Sequence, residues 1–297
     1  MAVEIRRWRM DLLYVSLLPV EDVPLYHTCP GGLAARLAAP PSWQCRACRL
    51  AAPGPRLVER AADQRVLGRL RVARPEAVVL DGVDPGGRDA SAVLYLPEAV
   101  EEVVGYRPAM VLEAAGATPP SVLEEALTSA GYVGVVYDYV LHMERPPGGI
   151  EGALETLRVA AEHAKVLEIV YPWAPGRRGN EQIVSSIAHR YPGAAVHVVA
   201  PEGDEAAYEK AASVVEKLRD RGLNVYLHPD EAGLYGDTRC TSCGAVLVSR
   251  KPWGLRLHVE PRGPGARARC PRCGAEQPLL ACRPRRPRAI HREHAVW

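Results

Sequence analysis

Residues 24–50 read PLYHTCPGGLAARLAAPPSWQCRACRL, and the rest of the chain is interpreted outward from them. The stretch holds three of the eight cysteines, Cys29, Cys45 and Cys48. The last two form a Cys-x-x-Cys after an apolar, alanine-rich run. Thiolates that close along a chain can grip one soft metal centre, either zinc or an iron–sulfur cluster.

Composition bounds what surrounds this stretch. A chain of 297 residues can form one large α/β domain, or one domain with an appendage. Its 47% hydrophobic content suffices for an ordinary core. A net charge of +2 argues against a surface that is basic all round, as a nucleic-acid or membrane footprint would be. No run approaches a membrane span. Residues 1–19 make a poor signal peptide, because Asp11 interrupts the apolar segment. No membrane association and a cytoplasmic location are therefore expected. Six of the eight cysteines lie in Cys-x-x-Cys pairs, which reads as metal ligation rather than a disulfide framework.

Past the cysteine stretch, apolar runs alternate with helical periodicity. Helices are expected at 55–71, 91–104, 121–130, 150–163, 180–190 and 204–221. The last has Asp204 as N-cap and Gly222 as its stop. Short buried strands are expected at 77–82, 109–114, 134–140, 166–171, 195–200 and 223–227. Such alternation implies parallel βαβ units, in a barrel or an open sheet. Glu113 and Glu168 sit inside apolar strands, where an unpaired carboxylate is costly, so each should meet an arginine or a polar opening. His142 and His197 fall near strand ends.

Downstream, Cys240-x-x-Cys243 and Cys270-x-x-Cys273 are each followed by Gly-Ala. Two such knuckles supply four thiolates for a closed tetrahedral zinc site, with strands at 246–249 and 255–259 between them. An iron centre of rubredoxin type is the alternative. The tail 281–297 is rich in arginine and proline, the composition of a disordered electrostatic arm that can contact phosphates or an acidic protein. Cys282 has no assigned partner.

The PLYH segment, the alanine-rich strand and the following cysteines together resemble the radical SAM superfamily, in the branch of the pyruvate formate-lyase activating enzyme (AmmeMemoRadiSam-type). The resemblance implies a partial (β/α)6 barrel over residues 24–235 after an N-terminal segment 1–23. A zinc ribbon at 236–280 and the basic tail would follow. It also implies a 4Fe–4S cluster held by three cysteines, with S-adenosylmethionine on the fourth iron and an electron donor as partner. Cys45 and Cys48 match the second and third cluster ligands, but Pro41 stands where the first should fall, leaving Cys29 as the candidate replacement. By the same resemblance Gly82, Asp84 and Pro85, in the loop DGVDPGG, and Asp138 would meet the cofactor, and His27 matches a family histidine. Two departures accompany Pro41: Ala114-Ala115-Gly116 replaces a Thr-Asn-Gly, and Asp138-Tyr139-Val140 lacks the family's lysine.

Two functions are thus expected. One is a radical SAM enzyme acting on an unknown substrate, for which a protein is one candidate. The other is a degenerate barrel serving as a zinc-ribbon module for protein or nucleic acid.

Overall fold

The computed structural model describes residues 14–38, 64–81, 90–141, 146, 148–228, 230, 233–252, 254–263, 265–282 and 295–296. Pro41, Cys45, Cys48, Gly82, Asp84, Pro85 and His142 lie outside them.

The main body alternates strand and helix. Its elements are β1 (Tyr14–Pro19), β2 (Leu33–Ala38), α1 (Gln64–Ala73), β3 (Ala77–Asp81), α2 (Ala90–Val104), β4 (Ala109–Ala114) and α3 (Pro120–Glu125). They continue with β5 (Gly134–Asp138), α4 (Gly149–His163), β6 (Val166–Pro172), α5 (Asn180–Arg190), β7 (Ala195–Val199), α6 (Glu205–Asp220) and β8 (Val225–His228). A turn of π-helix, Ala126–Ala130, extends α3. The α6 boundaries follow local chemistry: Asp204 accepts a hydrogen bond from the Ala207 N–H at 2.9 Å, and Gly222 turns the chain away at φ 83°.

Strands β2 to β8 lie side by side in sequence order, and every neighbouring pair is parallel. Strand β1 adds antiparallel to β2, register Ser16 to Arg36. Sequence order with helical crossovers of one hand puts all helices on one face of the sheet. The packing agrees, since residues of all six helices share one core with Leu37, Leu80, Leu112, Tyr137, Ile169, Val198 and Leu227. Among the described residues β8 pairs only with β7, so the sheet's hydrogen bonding stays open there.

The opposite face is covered by the chain itself. Ala34, Ala77 and Ala109 lie abreast in register at the starts of β2, β3 and β4, with Val79 and Val111 one layer further along. These small side chains leave room for Val20, Val23, Leu25 and Cys29, which pack on them as a second core.

The carboxy-terminal part holds β9 (Thr238–Arg239), β10 (Val246–Lys251) and β11 (Gly254–Leu257) in one sheet, and β12 (Arg267–Arg269) with β13 (Glu276–Leu280) in another. Two expectations change here. Residues 14–19, expected as part of an N-terminal segment 1–23 preceding the barrel, form a strand of the sheet. Within the tail, Ala295–Val296 (β14) pairs with it, Ser16 to Val296, because an open edge offers unpaired backbone groups to a short apolar segment.

Candidate functional site

The clearest site is built from the two knuckles. In each, the chain turns back through matched hydrogen bonds. The Cys240 N–H donates to Ala245 O at 2.8 Å and the Gly244 N–H to Cys240 O at 2.9 Å; Cys270 to Ala275 and Gly274 to Cys270 repeat this at 2.9 Å each. Gly244 and Gly274 have φ of 70° and 74°, a left-handed conformation that side chains with a Cβ resist. This turn presents both cysteines of each pair on one side.

The four sulfurs lie within 4.8 Å of one another, with Cys240 to Cys273 at 3.7 Å and Cys243 to Cys270 at 3.6 Å. Tetrahedral zinc at its usual thiolate bond length needs sulfurs about 3.8 Å apart. The donor set fits a zinc ion. The Ser242 N–H reaches Cys240 Sγ at 3.4 Å, an outer contact that favours thiolate. Burial raises the Cys270 thiol, but the Cys273 and Arg272 backbone N–H groups outweigh it and bring it down to about 7. Four protein sulfurs leave no open position, so such a metal would be structural. Among the described residues the ribbon's own core is small, eight buried residues, and gains from this staple.

The ribbon is bolted to the segment covering the sheet. The Leu280 N–H donates to His27 O and the Cys29 N–H to Leu280 O, each at 2.8 Å. Buried Arg250 donates to Tyr26 O, Gly236 O and Thr238 Oγ1, and sits 3.6 Å from Glu21. Cys29 is disulfide-bonded to Cys282, 253 residues away. Two expectations are corrected by this. Cys282 has a partner, and Cys29, whose backbone bonds to β13 hold its sulfur there, is not a free thiol for a cluster while that bond stands.

A second group of polar residues lines the face that the helices leave. At the strand ends Arg36 pairs with Asp81 and lies 4.0 Å from Glu113, as the position of Glu113 in an apolar strand required. Asp81 is fully buried, and among the described residues its Oδ1 has no hydrogen-bond partner. Asp138 ends β5 on the same face as Val136, half-buried.

Glu168 meets histidine rather than arginine. Its Oε2 lies 2.8 Å from His197 Nε2, and His197 Nδ1 lies 2.9 Å from His228 Nε2. The other oxygen accepts from the His27 N–H at 2.8 Å and from Thr28 Oγ1 at 3.4 Å. His27 Nε2 meets the Tyr226 hydroxyl at 2.8 Å. Burial pushes Glu168 up to about 7 and holds His27 down to about 4. His197, expected at a strand end, is mid-strand in β7 and fully buried.

Sequence reasoning passed over Arg36, Asp81, Tyr226, His228 and Arg250. The available signal was polar residues at period two in adjacent apolar strands: His197 in AVHVV, and Tyr226 and His228 in VYLH. Arg250 carried no signal.

No protein-family model matches the chain. No curated protein matches it either. Among solved structures it is similar to the carboxyl transferase domain of Rhizobium etli pyruvate carboxylase with pyruvate, at 12% identity and a TM-score of 0.35. The likeness covers 58% of this chain and 32% of that one, so the chain spans about a third of the matched protein. Among the described residues no helix is long and apolar enough to cross a membrane.

Proposed function

We propose that this chain is a remodelled radical SAM-type barrel that now works as a zinc-ribbon protein binding nucleic acid. The partition of the cysteines carries this reading. Four of the eight converge on the ribbon site and two form the disulfide, leaving Cys45 and Cys48. Two thiolates are one short of the three that the family's cluster takes, and Pro41 occupies the missing position. The strands in sequence order suit a partial (β/α)6 barrel, and the ribbon follows its last strand.

Charge supports the nucleic-acid role. Residues 236–280 carry eight Lys and Arg against three Asp and Glu, in a chain whose net charge is only +2. Arg239, Arg256, Arg262, Arg267, Arg269 and Arg272 are exposed. The tail adds Arg283, Arg285, Arg286, Arg288 and Arg292. A basic patch confined to one module is the electrostatic footprint of phosphate binding.

The test is fluorescence anisotropy with labelled single-stranded RNA and duplex DNA across a salt series. Binding that weakens steeply with salt, and weakens further in Arg269→Ala/Arg272→Ala, supports the reading. Absence of binding at low salt overturns it.

A second reading, a working radical SAM enzyme, is favoured by one observation. Asp81, with its unpartnered buried oxygen, stands beside Arg36 and Glu113 where β2, β3 and β4 end. By the resemblance, Gly82, Asp84, Pro85 and Asp138 would hold S-adenosylmethionine, which supplies radical chemistry on a cluster. The cluster would need a third ligand besides Cys45 and Cys48.

A further inference from the structure

The ribbon does not lie flush against the body. A cleft of about 600 Å³ opens between them, walled on one side by the ends of α4 and α5 and on the other by β12 and β13. That is the size of a ligand site. A reciprocal pair of hydrogen bonds fixes its walls: Lys165 Nζ donates to Gly265 O at 2.9 Å, and Arg267 Nε donates to Lys165 O at 3.0 Å.

The lining carries four cations, Arg158, Lys165, Arg190 and Arg267, against two carboxylates, Glu162 and Glu276. Both carboxylates are taken, Glu162 by Arg158 and Glu276 by Arg267. Arg190 has no carboxylate among the described residues; its guanidinium lies 5.8 Å over the Tyr191 ring, which leaves its N–H groups open. Lys165 spends one of its three ammonium protons on Gly265. On β12, Arg267 and Arg269 are exposed on either side of buried Ala268, so the basic surface of the ribbon runs along this strand into the cleft.

We infer that this cleft seats a single strand of nucleic acid, with backbone phosphates on Arg190, Lys165 and Arg267. The inference rests on the nucleic-acid reading above and adds to it the form of the ligand and its path. A flexible strand can bend into a cleft of this size and follow its charge. A duplex presents its two backbones on a broad cylinder with the bases paired inside, so it meets the ribbon's outer arginines and not the cleft floor. The helix ends suit a strand as well. The last carbonyls of a helix lack partners within it, and unpaired bases bring N–H donors that a duplex keeps occupied.

The test is fluorescence anisotropy of the full chain with a labelled uridine oligonucleotide and, separately, a labelled duplex. It compares the parent with Arg190→Ala, Ala161→Glu and Arg269→Ala/Arg272→Ala. Arg190 and Ala161 are exposed on the cleft wall, so neither change empties the core. Arg190→Ala should lower the salt slope of single-strand binding by about 0.7, the share of one phosphate contact. Ala161→Glu sets a carboxylate on the α4 wall and should weaken single-strand binding by about tenfold. Duplex binding should hardly move in either. Should Arg190→Ala not fold, Ala161→Glu decides. Single-strand binding that the cleft variants leave unchanged, while Arg269→Ala/Arg272→Ala weakens it, overturns the cleft and leaves the nucleic-acid reading standing. Equal losses for strand and duplex also overturn the single-strand seat. A parent that binds neither probe at low salt overturns both.

Discussion

Arg250 and Tyr26 lie 224 residues apart in sequence, yet Arg250 Nη2 donates to the Tyr26 carbonyl, and its guanidinium sits 4.3 Å over the Tyr26 ring. The same side chain faces the Glu21 carboxylate, whose pKa burial raises in spite of the arginine. One buried cation therefore joins the ribbon to the segment covering the sheet. Arg250→Ala should destabilise the protein by about 3–5 kcal/mol, since removing one partner leaves buried acceptors and a carboxylate uncompensated. Arg250→Lys should recover part of this. Urea denaturation of the three proteins measures both effects, and a loss under about 1 kcal/mol in Arg250→Ala would remove Arg250 as the bolt.

The Cys29–Cys282 bond makes a direct chemical prediction. Six of the eight thiols should react with a thiol reagent in denatured, metal-free protein that has not been reduced, and all eight after reduction. Cys282→Ser should lower stability by about 3–5 kcal/mol, because the bond closes a very long loop in the unfolded chain. Eight reactive thiols before reduction would contradict the pairing.

Acid and base act on Glu168 and His27 in opposite directions. The Glu168 pKa is raised from 4.5 to about 7, so the folded state holds a proton that the unfolded chain has lost. Its contribution is complete below about pH 4.5 and is lost as pH rises through 7, up to about 3 kcal/mol. His27 is lowered from 6.5 to about 4, so its contribution is present above pH 6.5 and lost as pH falls toward 4. Between these values the two oppose each other. Glu168→Gln should therefore be stabilised relative to the parent progressively from pH 5 to pH 7.5, read from urea midpoints. A constant difference across that range would sink the assignment.

Metal removal should act on the ribbon first. Releasing the four thiolates with a mercurial and a chelator, or Cys243→Ser, should unfold residues 236–280 as seen by amide exchange. Helices α4 and α6 should stay protected, since their core is separate from the ribbon's. Nucleic-acid binding should fall with it. Unchanged ribbon protection would show that the site needs no metal.

The parallel α/β body was legible because each strand from β3 to β8 is a short, mostly apolar run between helical periods. Strand β4 and helix α5 match the expected bounds at both ends. The ribbon was legible because both ligands of each knuckle are local and Gly244 and Gly274 repeat the same turn. What escaped was long-range. The spacing of cysteines says nothing about a bond spanning 253 residues, and nothing local distinguishes Arg250 from the exposed arginines around it. Residues 20–29 look like a loop, and only the row Ala34, Ala77, Ala109 explains why they can lie against the sheet. His197 was singled out and His228 was not, and their connection to Glu168 depends on the registers of three strands.

The measurement that tests the central claim most directly is the iron, sulfide and zinc content of anaerobically purified and reconstituted protein, with an electron paramagnetic resonance spectrum after reduction. The account predicts about one zinc per chain, held by Cys240, Cys243, Cys270 and Cys273, and no iron taken up. About four irons with matching sulfide, and a reduced signal that S-adenosylmethionine perturbs, would contradict it and restore a working radical centre.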